Sequence, residues 1–285
     1  MRNDNKRGAG SIGRRLQNRQ PFGKSVNIVC TLALFFHTFE AYPLLVAANR
    51  DEHFDRPSSA PALLNTNPQI IAGKDLRAGG TWLGVNEHGV VVGILNRRAN
   101  GTSGRTVAPA ILRSRGLLCL DLLRFRSADS AAAFIAAHDQ RYNPFTILFA
   151  DMNSSYVAYN NDPDIIIQNI EPGLHVFSSA AELDLRSAKA DRAHQRFSGF
   201  VNNVSALSLA SRQCIAPLQN ILADHSLRDG SDDPGDAICV HREDSGTVSS
   251  SLIFCGENNR QFETYHCPGA PCQNSFGAPL TLKSR

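Results

Sequence analysis

Cys30 and the run Asn49-Arg50-Asp51-Glu52 hold the residue types of a nucleophilic site: a thiol and, about twenty residues on, an amide, a guanidinium and a carboxylate. A thiolate is the attacking species, and a nearby cation lowers a cysteine pKa. Arg50 beside Cys30 is therefore expected to favour the thiolate. Asp51 is the carboxylate best suited to orient the thiol, provided that the two share a face. If Cys30 were the first residue, its own α-amine, with an ordinary pKa of ~7.7–8.0, would serve as general base without a histidine. If residues remain joined on its N-terminal side, no such amine exists. Against this stands a plainer reading, in which Cys30 is a small buried strand residue and Asn49–Glu52 a polar strand end with a salt bridge.

The elements that must bring these groups together are two short apolar runs, residues 30–36 and 44–48, joined by a polar, proline-bearing connection as in a hairpin. Pairing symmetric about Glu40 sets Cys30 opposite Arg50, and a shift of one residue sets it opposite Asp51. Directly opposed residues have Cβ atoms ~4.5–5.5 Å apart. A proline-bearing loop is expected over Pro57–Pro68. Residues 69–96 read as strands and turns, with a turn at Asn86-Glu87-His88-Gly89. Gly79 and Gly80 carry no Lys-Ser/Thr after them, so they read as a turn or pocket wall rather than a phosphate loop. Trp82, the only tryptophan, belongs to that wall or to the core. Helices are expected over 108–125, where Gly116 weakens the middle, over 127–140 with Ser127 as cap, and over 187–200 and 207–224. Strands are expected over 144–150, 155–159, 165–168, 174–177, 237–241, 248–255 and 261–267. Strands and helices in alternating groups predict an α+β layered architecture, one domain over residues 30–285.

Composition is globular, with 42% hydrophobic and 19% charged residues. No apolar run approaches the ~20 residues that span a membrane. The net charge of +3 divides unevenly. Residues 1–29 hold seven Lys or Arg and the single acid Asp4, or +6, and the remainder holds 22 basic and 25 acidic residues, or −3. A mildly acidic body argues against a nucleic-acid surface, which needs a basic footprint. Seven irregularly spaced cysteines read as reduced thiols of a cytoplasmic protein rather than a disulfide framework. Cys239, His241, Cys255, His266, Cys267 and Cys272 suggest a metal or haem site. Cys267 and Cys272 have no second pair at matching distance, however, and no metal is expected. Residues 1–29 read as a disordered basic extension: a signal or transit peptide, a propeptide ending at Val29, or a stretch preceding a true start at Val29. The last is the reading adopted, because GTG encodes valine and can also initiate with methionine in bacteria. Removal of that methionine would expose Cys30.

Ala48-Asn49-Arg50-Asp51-Glu52, Gly79-Gly80-Thr81-Trp82-Leu83-Gly84 and the run from Gly89 to Asn96 together resemble the family named for its Asn-Arg-Asp-Glu motif, which includes the animal transport and Golgi organisation 2 proteins. That family is similar in turn to N-terminal nucleophile hydrolases of the cholylglycine hydrolase group. The resemblance implies a four-layer αββα sandwich and hydrolysis of non-peptide C–N bonds in a small-molecule amide, without a cofactor. It implies Cys30 as nucleophile, Asp51 as the group orienting it and its amine, and Asn96 as oxyanion donor, with Asn49, Arg50, Trp82 and Ser179 on the substrate. It also implies an alternative, a non-catalytic protein handling a hydrophobic ligand such as lipid or haem. The sequence departs from the pattern where Ser178-Ser179 replaces the mid-chain Ser-Asn, where Val248 replaces an arginine after Gly246-Thr247, and where Ala48 replaces an arginine before Asn49.

Overall fold

A computed structural model describes residues 30–64, 66–97, 112–160, 165–179, 187–204, 210–227, 230–256 and 261–283. The readings made on residues 1–29 and on the start of the helix at 108–111 lie outside them. The strands are β1 (Thr31–Phe39), β2 (Tyr42–His53), β3 (Ser58–Leu64), β4 (Ile70–Asp75), β5 (Leu83–Asn86), β6 (Val91–Asn96), β7 (Phe145–Ala150), β8 (Ser155–Asn160), β9 (Ile165–Asn169), β10 (Gly173–Ser178), β11 (Ser245–Gly256), β12 (Gln261–Pro268) and β13 (Leu280–Lys283). The helices are α1 (Arg115–Leu122), α2 (Ala128–Ala136), α3 (Ala188–Asn203) and α4 (Ser211–Leu222).

Period-two burial builds the layers. Leu32, Leu34 and Phe36 of β1 pack with Leu44 and Val46 of β2 against Leu83, Val85, Val91 and Leu148 of the other sheet. The alternate residues Ala33, Phe35, Leu45 and Ala47 face Phe197, Leu218 and Leu222 of α3 and α4. On the far side, Ile70, Val92, Ile147 and Phe149 face Leu118, Leu122 and Ile135 of α1 and α2. The result is the αββα sandwich. One sheet has the order β10-β1-β2-β11-β12-β13 and the other runs β3 to β9 in sequence order.

The hairpin register is the symmetric one. Thr31 pairs with Asn49 and Leu34 with Val46, so one further step sets Cys30 opposite Arg50. Several local readings are corrected. Pro57–Pro68 is not all loop, because β3 runs through it as an edge strand, and Pro61 falls inside a register shift between Ser59 and Ala62 where a proline removes no ladder bond. Residues 237–241 form no strand beyond a single bridge from His241 to Gly246. Their backbone is bound elsewhere, with Cys239 N donating to Asp224 O at 2.9 Å and Val240 N to Thr247 Oγ1 at 2.9 Å. The first helix begins at Arg115, so Gly116 sits in its first turn rather than its middle. Ser127 and Ser187 cap α2 and α3, accepting from Ser130 N and Ala190 N. No helix among the described residues is long and apolar enough to cross a membrane.

Candidate active site

Cys30 immediately precedes β1 at the edge of a cavity of about 330 Å³ lined also by Arg50, Asp51, Thr81, Trp82, Asn96 and Arg115. Its backbone nitrogen donates to Ser179 Oγ at 3.1 Å. Its sulfur lies 3.4 Å from both the backbone nitrogen and the carbonyl oxygen of Asp51. Asp51 therefore meets Cys30 through its main chain. Its carboxylate does not share the face of the thiol, because residues alternate along β2, and it points instead toward the helical layer.

There the carboxylate is held at both oxygens. Lys189 Nζ of α3 donates to Oδ2 at 2.6 Å, and Thr247 Oγ1 of β11 donates to Oδ1 at 2.6 Å. Lys189 is 1% exposed and Asp51 3%, so this is a buried ion pair whose remaining hydrogen bonds are made, as such a pair requires. Burial raises the Asp51 pKa, and Lys189 and Thr247 act against that rise. Neither partner was assigned a role from sequence. The signal for Lys189 was present, since it occupies the apolar stripe of α3 with Ala193, Phe197 and Phe200, and a lysine on such a stripe needs an anion. For Thr247 the signal is the bulge between Thr247 and Ser249 in β11. The bulge skips Val248, the position where the resemblance implied an arginine. Bulges are frequent beside active sites because they re-aim side chains.

Arg50 does favour the thiolate, as expected, but its effect is outweighed. Burial pushes the Cys30 thiol up to about 12, and the charge of Asp51 adds to the rise, outweighing the opposing effects of the Asp51 backbone N–H, Lys189 and Arg50. Arg50 is itself committed. Its guanidinium lies 4.4 Å from the centre of the Trp82 ring and 3.4 Å from Glu52, and it donates to Ser58 Oγ. Arg50 and Trp82 thus form one cation–π wall of the cavity. Trp82 fits because Gly73 has no side chain, since a Cβ there would stand 2.5 Å from the indole.

The remaining wall comes from a second glycine contact. A Cβ on Gly80 would stand 2.2 Å from the Gly116 backbone, and Thr81 N donates to Gly116 O at 3.0 Å. This approach fixes the start of α1 against the 79–82 turn and brings Arg115 to the cavity. Asn86 locks the other end of α1, with its amide nitrogen donating to Leu123 O and Phe125 O.

Asn96 ends β6 with an exposed side chain on the cavity. Asn49 is different. It is buried, its nitrogen donates to Leu222 O at 2.8 Å and Ile238 O at 2.9 Å, and its oxygen accepts from Ser250 Oγ at 2.5 Å. These bonds turn its amide away from the cavity and bracket β2 to the helical layer, which sets it apart from the substrate-binding role that the resemblance implied.

Comparison with known proteins adds to this geometry. The chain is 32% identical over 151 residues to the Transport and Golgi organization 2 homolog of Mus musculus, and 29% identical over 151 residues to the Homo sapiens homolog. Each match covers 49% of this chain and 51% of the relative, so the chain spans about half the length of the curated relatives it matches. Among solved structures, a mutant conjugated bile acid hydrolase from Clostridium perfringens shares 12% identity at a TM-score of 0.53, covering 85% of this chain and 89% of that one. A penicillin V acylase from Agrobacterium tumefaciens shares 13% at 0.52, covering 82% of each. At such identity the likeness shows the fold, which is that of the N-terminal nucleophile hydrolases. The Transport and Golgi organisation 2 family model matches residues 29–265, and the chain belongs to that family.

Proposed function

We propose that the chain hydrolyses a non-peptide amide of a small molecule bearing an anionic group, with Cys30 as nucleophile once it is the first residue. The observation that carries this reading is the position of Cys30, with its sulfur beside the cavity and its nitrogen bonded to Ser179 Oγ. The family match beginning at residue 29 and the fold shared with a bile acid hydrolase and a penicillin acylase support it. Burial holds the thiol well above its ordinary range, so a base that takes its proton during attack suits the site. No histidine lines the cavity among the described residues, and a free α-amine of Cys30 meets the need.

In this mechanism the amine takes the thiol proton and the sulfur bonds to the amide carbon. The carbonyl oxygen becomes an oxyanion, for which Asn96 is the side-chain donor on the cavity. The C–N bond then breaks as the amine proton passes to the leaving nitrogen. Water, deprotonated by the same amine, attacks the thioester, the C–S bond breaks as the amine returns that proton to the departing sulfur, and the carboxylic acid leaves. Ser179 orients the amine. The Asp51–Lys189 pair fixes the strand end that carries the Asp51 main chain against the sulfur. Arg50, Arg56, Arg113 and Arg115 line the cavity with the acids Asp51, Glu52 and Asp75. Arg50 and Arg56 pair with Glu52 and Asp75, Arg113 with Asp121 and Asp51 with Lys189, which leaves the Arg115 guanidinium as the excess. That excess of guanidinium argues for a carboxylate, sulfonate or phosphate on the substrate.

The test is a panel of N-acyl amides, paired as anionic and neutral members, given to chain that begins at Cys30. Turnover of the anionic members that disappears in Cys30→Ala supports the proposal. Turnover surviving Cys30→Ala refutes it. Tight binding of lipid or haem without turnover, unchanged in Cys30→Ala, favours the carrier reading instead.

A further inference from the structure

On the outer side of β11, away from the cavity, four side chains from three segments converge. His225 follows α4, Cys239 and His241 belong to the irregular stretch before β11, and Cys272 follows β12. One donor atom of each lies within 4.8 Å of all the others. Cys239 Sγ is 3.8 Å from Cys272 Sγ and 3.5 Å from His241 Nε2, and His241 Nε2 is 3.2 Å from Cys272 Sγ.

The Cys239–Cys272 and Cys239–His241 spacings match those around one ion, His241–Cys272 is slightly shorter, and His225 lies within 4.8 Å of the set. A tetrahedral Zn²⁺ with Zn–S of ~2.3 Å and Zn–N of ~2.0–2.1 Å separates its ligands by ~3.8 Å for S–S and ~3.6 Å for S–N. We infer that His225, Cys239, His241 and Cys272 form a tetrahedral His₂Cys₂ zinc site. A disulfide accounts for the geometry less well. It would bring the two sulfurs to ~2.05 Å and gives His241 no reason to lie within reach of both. Charge also closes, since two thiolates and two neutral imidazoles balance Zn²⁺. Binding releases the two thiol protons to solvent, and nothing is oxidised or reduced.

Sequence spacing hid the set because Cys272 and His225 lie far along the chain from the Cys239-x-His241 pair. Of the other residues that suggested a metal, Cys255, His266 and Cys267 are not among the four. The site has a structural purpose. Cys239 and His241 flank Val240, whose N–H and carbonyl bond Thr247 Oγ1 and Thr247 N, and Thr247 in turn holds Asp51. Zinc would pin a stretch without regular structure onto the strand that braces the candidate active site.

Full chain, reduced and stripped with a chelator, is titrated with Zn²⁺ alone and with Co²⁺ alone. The inference expects about one Zn²⁺ per chain retained through gel filtration. It also expects a Co²⁺ spectrum with thiolate charge transfer and tetrahedral d–d bands. Retained zinc should fall about tenfold or more in Cys272→Ser and in His225→Ala, both changed at exposed positions, and stay at wild-type level in His194→Ala, an exposed histidine of α3. Reduced, folded wild-type chain that retains no zinc, or that gives an octahedral Co²⁺ spectrum without charge transfer, would overturn it. So would zinc retention unchanged in Cys272→Ser.

Discussion

The Asp51–Lys189 pair and Cys30 answer opposite questions about charge. Lys189 and Asp51 are both removed from water, so each depends on the other and on Thr247. Lys189→Met is expected to lower unfolding free energy by about 3–5 kcal/mol, the usual cost of orphaning a buried charge, as read by urea denaturation. The double variant Asp51→Asn with Lys189→Met should lose less than the sum of the singles; an additive result would deny the coupling. Cys30 poses the reverse case, where burial outweighs the cation beside it. In chain still joined through Val29, iodoacetamide should alkylate Cys30 at pH 7.5 at least tenfold more slowly than a free cysteine peptide, with the rate rising as pH climbs toward the displaced thiol pKa of about 12. Peptide mapping by mass spectrometry reads that rate, and parity with the free peptide would show that the thiol is not held up. The residue types of the site were legible in the sequence, but Ser179 was expected on the substrate and its Oγ accepts from the Cys30 N–H. What was not legible was the direction of each side chain. Cys30 lies across from Arg50 and Asp51 is the next residue along β2, so strand alternation sends the Asp51 carboxylate to the helices while the thiol faces the cavity.

At the level of elements, two hairpin registers stood open in the sequence, and the packed core selects the symmetric one, because a one-residue slip would turn every core residue of β1 outward. Two of the four edge strands, β3 and β13, were missed for a physical reason. Edges tolerate proline, short length and polar residues, so they carry little of the alternation that marks an inner strand. The Gly80–Gly116 contact was half legible, with the turn glycines recognised and their partner read as a helix weakness. Gly116→Ala would press into the Thr81 backbone, whose nitrogen and oxygen stand 3.0–3.1 Å from the added Cβ. A loss of about 1–3 kcal/mol is expected, together with weaker substrate binding because Arg115 shifts with α1; a stability unchanged in thermal melts would argue that the contact is loose. On the opposite layer, Arg192 of α3 holds Asp224 at 2.8–3.0 Å. Burial alone would raise the Asp224 pKa, but the Ser226 hydrogen bonds and Arg192 bring it below its ordinary value. That tie therefore stabilises the fold above the unfolded carboxyl pKa of ~3.9 and is lost as pH falls through the lower folded value. Asp224→Asn should flatten the acid limb of the stability–pH curve, and an unchanged limb would assign acid unfolding to other carboxylates.

The whole molecule is a sandwich in which each layer contributes one part of the candidate site. The hairpin gives Cys30, β11 and α3 brace Asp51, the second sheet gives Asn96 and Trp82, and α1 gives Arg115. No single segment would have shown this assembly, which is why family motifs exposed it sooner than composition or periodicity. The proposed hydrolysis rests on one chemical condition, that the nitrogen bonded to Ser179 be a free amine at the moment of catalysis. Two forms of the protein test it: one in which a specific protease has freed Cys30 as the first residue, and one still joined through Val29. Each is mixed with an activated N-acyl amide bearing a carboxylate and examined by intact mass spectrometry on the timescale of a single turnover. The account predicts that only the Cys30-first form gains the mass of one acyl group, mapped to Cys30 and absent in Cys30→Ala. Equal acylation of both forms, or acylation that persists in Cys30→Ala, would contradict it.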